Sequence, residues 1–320
     1  MALPAIPRLT PGEVPWVCAC YEEGEACWGA QLDTIGDWRH GDVVDLEVDG
    51  VRLRMVENPA WAGLRAGNIP ALLPVGCPIP PVAVMADVPA VYGEGGPLLV
   101  DLKQIPGRGV RVLGDWLRGI LAALQGGGLD FDDLVRGMDR YGMYQGDGGQ
   151  PAFPTPTTAA SRAFPALPAS EEALLVRTCF EDEDGWRALL DQFGGVDERG
   201  RIGAGVEMNS HNMNAFPLRA LAVDDWRFQG LCPGQVPALV APTDSTADEG
   251  VESSPLVLLA DARTFSEPGG PLTAVDLCDT PGMSTAVPRG AVATMVCDVE
   301  INNLDFCDFV AIGDPQVFWG

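Results

Sequence analysis

Lysine is almost missing from this 320-residue chain: of its 20 lysines and arginines, only Lys103 is a lysine. Against 45 aspartates and glutamates this leaves a net charge of −25. A surface so poor in cations cannot displace counterions from phosphate, so nucleic acid is excluded as a partner. An anionic membrane would repel the chain as well. Histidine is nearly absent too, with only His40 and His211 and no HxH or HExxH spacing, so no metal site is expected. The nine cysteines contain no CxxC pair, which argues against a zinc ribbon. No GxSxG elbow occurs. The glycines of 107–114 and 194–203 lack the strand–GxGxxG–helix order of a nucleotide loop, and no cofactor is expected. The N-terminus MALPAIPRLTPGE has no charged segment followed by an apolar core, so the reading is a cytoplasmic protein with reduced thiols. The uncharged stretch 66–86 is long enough to span a bilayer. Pro70, Pro74, Pro78, Pro80 and Pro81 interrupt it, and such a backbone cannot satisfy itself in lipid.

What the chain does have is a repeat. WAGLRAGNIPALLP at 61–74 is echoed by FQGLCPGQVPALVAP at 228–242. GGPLLVDLKQIPG at 95–107 is echoed by GGPLTAVDLCDTPG at 269–282, and LDFDDLV at 129–135 by LDFCDFV at 304–310. The offsets drift slowly: 158 for Trp28 and Trp186, 167 for Gly63 and Gly230, 174 for Asp87 and Asp261, 175 for Asp101 and Asp276. The order never changes, which identifies an end-to-end duplication. Units of roughly 150 residues are each long enough for a core of their own. The expected organisation is a first unit at 1–147, a linker rich in Pro, Ala and Ser at 148–170, and a second unit at 171–320. The expected fold class is α+β: two similar domains from internal duplication, each a mixed sheet packed with helices.

Each unit reads as an opening strand (15–22; 173–181), then a helix (25–35; 182–194). In the second helix Trp186, Leu189, Leu190 and Phe193 fall on one face. Asp49-Gly50 between alternating apolar runs predicts a type I′ hairpin in the first unit only. Strands at 82–88 and 256–262, then 98–102 and 273–278, precede long helices at 116–125 and 290–302. Asp130 and Asp305 read as helix N-caps. The terminal aromatics Tyr141, Tyr144, Phe318 and Trp319 read as closing strands, with a pocket or interface as the other reading. The segment 242–254 reads as an acidic surface loop.

The second unit, through LLVRTCFEDEDGW, VDLCDTPG, INNLDFCDFV and DPQVFWG, resembles a domain of unknown function common in actinobacteria, and the first unit resembles it more distantly. The resemblance implies no reaction. Members commonly follow the Pro-Gly turn with an arginine-bearing strand. The first unit keeps Arg108 and Arg111 there, whereas the second reads MSTAVPR. If those arginines bind a ligand or partner, the second copy has lost the contact.

The first candidates for chemistry are the paired carboxylates Asp87/Asp261 and Asp101/Asp276, at strand ends where acid–base residues collect. The plainer reading is that they cap turns by accepting backbone amides. His211, in the polar run Asn209–Asn212, is the candidate general base. Arg108, Arg111 and Trp319 are the candidate ligand or partner contacts. Cys18 and Cys20 share one face of a strand and read as buried thiols without a base to activate them. Whether the chain is an enzyme stays open. One function is an acidic binding or regulatory protein, such as an immunity-like inhibitor of a basic protein. The other is a cofactor-independent tailoring enzyme of specialised metabolism, acting on a small molecule in a groove between the units.

Overall fold

The structure is a computed structural model, and it describes residues 3–29, 31–32, 39–46, 50–93, 95–146, 163–203, 217–241 and 254–310. The strands of the first unit are β1 (Glu13–Cys18), β2 (Tyr21–Glu22), β3 (Glu25–Ala26), β4 (Arg39–His40), β5 (Val43–Asp45), β6 (Arg52–Val56), β7 (Val82–Ala86), β8 (Leu98–Asp101) and β9 (Gly109–Arg111). Seven of them form one sheet in the order β4-β5-β6-β1-β7-β8-β9. The second unit has β10 (Ala173–Arg177), β11 (Arg201–Ile202), β12 (Ala220–Val223), β13 (Leu256–Ala260), β14 (Leu272–Asp276) and β15 (Ser284–Val287), in the order β11-β12-β10-β13-β14-β15.

The two sheets have the same plan. The opening strand of each unit lies at the centre, parallel to both neighbours: β1 to β6 and β7, β10 to β12 and β13. The later pairs, β7–β8–β9 and β13–β14–β15, are antiparallel. The outer hairpin partners β5 and β11 are antiparallel to β6 and β12. This is the expected α+β architecture of two similar units with mixed sheets. Every residue of β1, β7, β10 and β13 is buried, as befits central strands covered on both faces.

Alternation along these strands sorts the core. Val14, Trp16 and Cys18 of β1 and Val84 of β7 pack on one face with Leu117, Ile120, Leu121 and Leu124 of the helix Gly114–Gly126. Val17, Ala83 and Met85 face the other side, against Trp61, Ile69 and Leu72. The first of these clusters continues into the second unit through Leu175, Leu258, Met283 and Phe306. One face of each sheet thus belongs to a common apolar cluster, while the opposite faces keep separate clusters.

Local signals account for most of the elements. The Asp130 carboxylate accepts the Asp133 amide (2.8 Å), and the Asp133 carboxylate accepts the Asp130 amide (2.9 Å). This capping box starts the helix Phe131–Arg136. Asp182 caps Glu183–Gln192 through the Gly185 amide (2.8 Å). One expectation gives way: residues 25–26, read as the start of a helix, pair with Tyr21–Glu22 across Glu23 and Gly24. Both turn residues adopt positive φ (50° and 87°), the conformation a two-residue hairpin demands. The Asp49 turn and most of the linker fall outside the described residues. Tyr144 is buried and edge-on to Trp116 (6.2 Å), whereas Tyr141 is exposed.

The seam between the units is tight. The Gly109 amide of edge strand β9 donates to the Pro281 carbonyl (2.8 Å), and the Asn68 side chain donates to the Val240 carbonyl (2.9 Å). Gly67 lies so close to the other unit that a Cβ there would meet the Pro237 carbonyl oxygen at 2.3 Å. Gly67→Ala is therefore expected to cost about 1–3 kcal/mol and to lower the thermal midpoint by several degrees. Calorimetry checks this, and an unchanged midpoint would mean that the seam does not contribute to stability.

Candidate functional site

Asp101 ends β8 and is fully buried. Its oxygens accept the amides of Lys103 (2.8 Å), Gln104 (2.9 Å) and Ile105 (2.8 Å), so the carboxylate forms the centre of the turn that follows. A buried charge of this kind needs a counter-ion. Arg108 supplies it, with Nε donating to Asp101 (3.0 Å) and Nη2 donating to Asp132. Its guanidinium also lies 5.1 Å from the centre of the Phe131 ring.

The second unit keeps the turn and loses the cation. Asp276 accepts the amides of Cys278 (2.8 Å) and Thr280 (2.6 Å). At the offset of 175 that relates the units here, Arg108 becomes Met283, Asp132 becomes Cys307 and Arg111 becomes Ala286. Both members of the buried Arg108–Asp132 pair are thus replaced together, while the carboxylate they served remains. Burial pushes the Asp276 carboxyl up to about 7, and the neighbouring Asp279 charge adds to the shift against the amide bonds that oppose it.

Asp87 caps the helix Val88–Tyr92 through the Ala90 amide (3.2 Å) and binds buried Arg111 with both oxygens (3.2 and 2.7 Å). Asp261 caps Ala262–Ser266 in the same way, but its cation is Arg263 from its own helix (3.2 Å), and Thr273 Oγ1 donates at 2.6 Å.

Within a unit the predicted carboxylates do not converge. Asp101 pairs with Val82 at the start of β7, whereas Asp87 follows the end of that strand. The two acids thus sit at opposite ends of one ladder, roughly 17 Å apart at ~3.4 Å per residue. Asp276 and Asp261 are separated in the same way along β13. The seam brings together a different set. Arg111 of the first unit lies within electrostatic reach of Asp276 and Asp279 of the second, and Asp279 within reach of Asp87 and Asp305. His211 and Trp319 lie outside the described residues. Among the described residues no group of His, Cys, Asp or Glu is arranged to hold a metal ion.

A second cluster was not anticipated. Arg177 ends β10 and is 2% exposed. Its Nη1 donates to Glu183 (2.7 Å) and Asp224 (3.2 Å), and its guanidinium lies 4.5 Å from the Phe180 ring centre. Asp224 also accepts the Trp186 indole N–H (3.1 Å). Beside it, Asp225 caps the short helix Trp226–Phe228, and Trp226 is 67% exposed. The fixed carboxylates of Glu183 and Asp224, about half exposed, thus accompany an uncovered indole. The Trp186–Asp224 bond has its repeat partner in Trp28–Glu57 (3.2 Å), a signal that the aligned units carry. Trp226 aligns with Pro59 and has no such signal.

At the position of Arg177 the first unit has Cys18, since each pairs with the last residue of its neighbouring strand, Ala260 and Ala86. Burial pushes the Cys18 thiol up to about 11, so it is not a nucleophile at neutral pH.

An unfolded Asp titrates near ~3.9. Native Asp276 holds its proton to about 7, so between these values the unfolded chain releases a proton that the native one keeps. Stability from this group is then lost as pH rises from about 4 to about 7. Asp276→Asn is expected to flatten that decline, as followed by denaturant midpoints from pH 4.5 to 7.5. An identical profile in the variant would remove Asp276 as its source.

Comparison with family models matches residues 13–147 and again 172–320 to the domain of unknown function DUF6924. Comparison with curated proteins gives no match, and comparison with solved structures gives none.

Proposed function

We propose that this chain, which belongs to the DUF6924 family and carries its domain twice, is an acidic binding or regulatory protein for a basic protein partner, working in the cytoplasm in the manner of an immunity protein. The observation that carries this reading is the exposed Trp226, which directly follows Asp224 and Asp225 in the chain, with Asp224 and Glu183 both bound by buried Arg177. An indole face attracts an arginine or lysine through its ring quadrupole, and exposed aromatics anchor interfaces. The surrounding acids favour the same cation. Arg177 bonding, ahead of the Arg187 charge, holds the Glu183 carboxyl below its usual range, and Arg227 does so for Asp225, so the face stays charged in mild acid. The net charge of −25 steers a basic partner towards it from a distance. No helix among the described residues is long and apolar enough to cross a membrane, which agrees with a partner met in solution.

The occupied state of the predicted carboxylates supports binding over catalysis. Asp87, Asp101 and Asp261 are each engaged by an arginine and by backbone amides. Asp276 alone favours the second reading, a tailoring enzyme, because a carboxyl raised to about 7 suits proton transfer at neutral pH.

The test is to co-purify the chain with each protein of pI above roughly 9 encoded beside it, at ~150 mM salt. One of them is expected to form a stoichiometric complex. Trp226→Ala is expected to weaken that complex by roughly thirtyfold, about 2 kcal/mol, in calorimetric titration, with the thermal midpoint unchanged. If every such protein elutes alone, or if the variant binds as tightly as the parent, the binding reading falls.

A further inference from the structure

Two thiols of the first unit face each other across a hairpin. In the ladder of β2 and β3, Tyr21 pairs with Ala26 and Glu22 with Glu25, so the next facing pair is Cys20 and Cys27. The ladder reaches them, because the Cys27 amide donates to the Cys20 carbonyl (2.9 Å). Facing residues of antiparallel strands send their side chains to one side, with Cα atoms ~4.5–5.5 Å apart. A disulfide needs ~4.4–6.8 Å, so this register meets its requirement. The two thiols are also hydrogen-bonding partners of each other. Both cysteines are unbridged in the structure.

Cys18 holds the base of the hairpin. Its Sγ donates to the carbonyls of Cys20 (3.1 Å) and Cys27 (3.3 Å), which ties both residues to the end of β1. Cys20 is buried and Cys27 only partly so. Burial, ahead of the influence of Cys27, pushes the Cys20 thiol up. The duplication supplies a contrast. Cys20 recurs as Cys179, but the offset of 158 places Gly185 where the first unit has Cys27. The facing pair therefore belongs to the first copy alone.

We propose that Cys20 and Cys27 are a reversible redox pair, oxidised to a disulfide by a small-molecule disulfide such as oxidised glutathione. The thiolate of Cys27, the more accessible of the two, attacks one sulfur of the oxidant and expels a thiolate. Cys20 then gives up its proton, attacks the Cys27 sulfur of the mixed disulfide and expels the second thiolate. The protein loses two protons and two electrons, and the oxidant becomes two thiols. A thiol of raised pKa is the stronger nucleophile once deprotonated, which suits Cys20 to the second step. Cys18 takes no part, since its Sγ is fully buried and turned onto two carbonyls. The pair lies in the first unit, away from Trp226 in sequence, and does not depend on the partner-binding reading.

The test equilibrates the full chain with about 1 mM each of oxidised and reduced glutathione, then alkylates it and cuts after glutamate. Glu22, Glu23 and Glu25 lie between the two cysteines, so the bond joins residues 14–22 to the peptide that starts at Ala26. At least about half of the chain is expected to carry this link, and dithiothreitol is expected to remove it. Fragmentation of the linked peptide between Cys18 and Cys20 assigns the bond. Cys20→Ser is expected to trap Cys27 as its glutathione mixed disulfide at roughly tenfold or more the level in the parent, because no second thiol resolves it. The proposal is overturned if the parent yields no linked peptide, if the bond maps to Cys18, or if the variant holds no more mixed disulfide at Cys27 than the parent.

Discussion

A carboxylate buried at the end of a strand, gathering the amides of the loop that follows, is the constraint on which both halves of this molecule rest. Asp101 and Asp276 each tie down a Pro-Gly turn, and each turn aims the next strand back into its sheet. The amides satisfy the oxygens but do not remove the cost of burying a charge, so each unit must also answer the charge. The first unit does so with Arg108, held in turn by Asp132 and Phe131. The second discards that pair for Met283 and Cys307, and Asp276 responds by holding its proton to about neutral pH.

Seen this way, duplication allowed the cations to move. The first unit concentrates its buried arginines, Arg108 and Arg111, at the β9 edge, where Arg111 comes within electrostatic reach of Asp276 and Asp279 of the second unit. The second unit places its buried arginine, Arg177, at the far end of the opening strand, where the first unit has the inert thiol of Cys18. One arrangement brings a buried cation to the seam between copies. The other holds half-exposed carboxylates beside Trp226 at the surface. The same fold thus carries an inward-facing charge cluster in one copy and an outward-facing one in the other, and this difference underlies the binding function proposed for the chain.

The parts of this architecture that could be read from the chain are those with short-range causes. The capping pattern of LDFDDLV, the helical spacing of Trp186, Leu189 and Leu190, and the apolar runs of β7 and β13 each follow from neighbours within a few residues. The Glu23-Gly24 hairpin was hidden because glutamate is an uncommon choice for positive φ, so the turn carried only half its usual signal. The site was less legible. Asp87 and Asp101 stand close in sequence and look like one constellation, yet antiparallel pairing of β7 with β8 sends them to opposite ends of the ladder. Trp226 gave no sign of exposure, because an indole in a short helix reads as core until its packing is known.

The sequence by itself determined that one module was used twice, that its strands and caps recur in the same order, and that acids outnumber lysine and arginine by 45 to 20. Those conclusions need only periodicity, local hydrogen-bonding chemistry and a count of charges. Tertiary structure alone decided which charges meet. Arg111 finding Asp87, and Asp276 being left with no arginine of its own unit but within reach of Arg111 from the other, depend on contacts between segments far apart in the chain, and no local pattern encodes those.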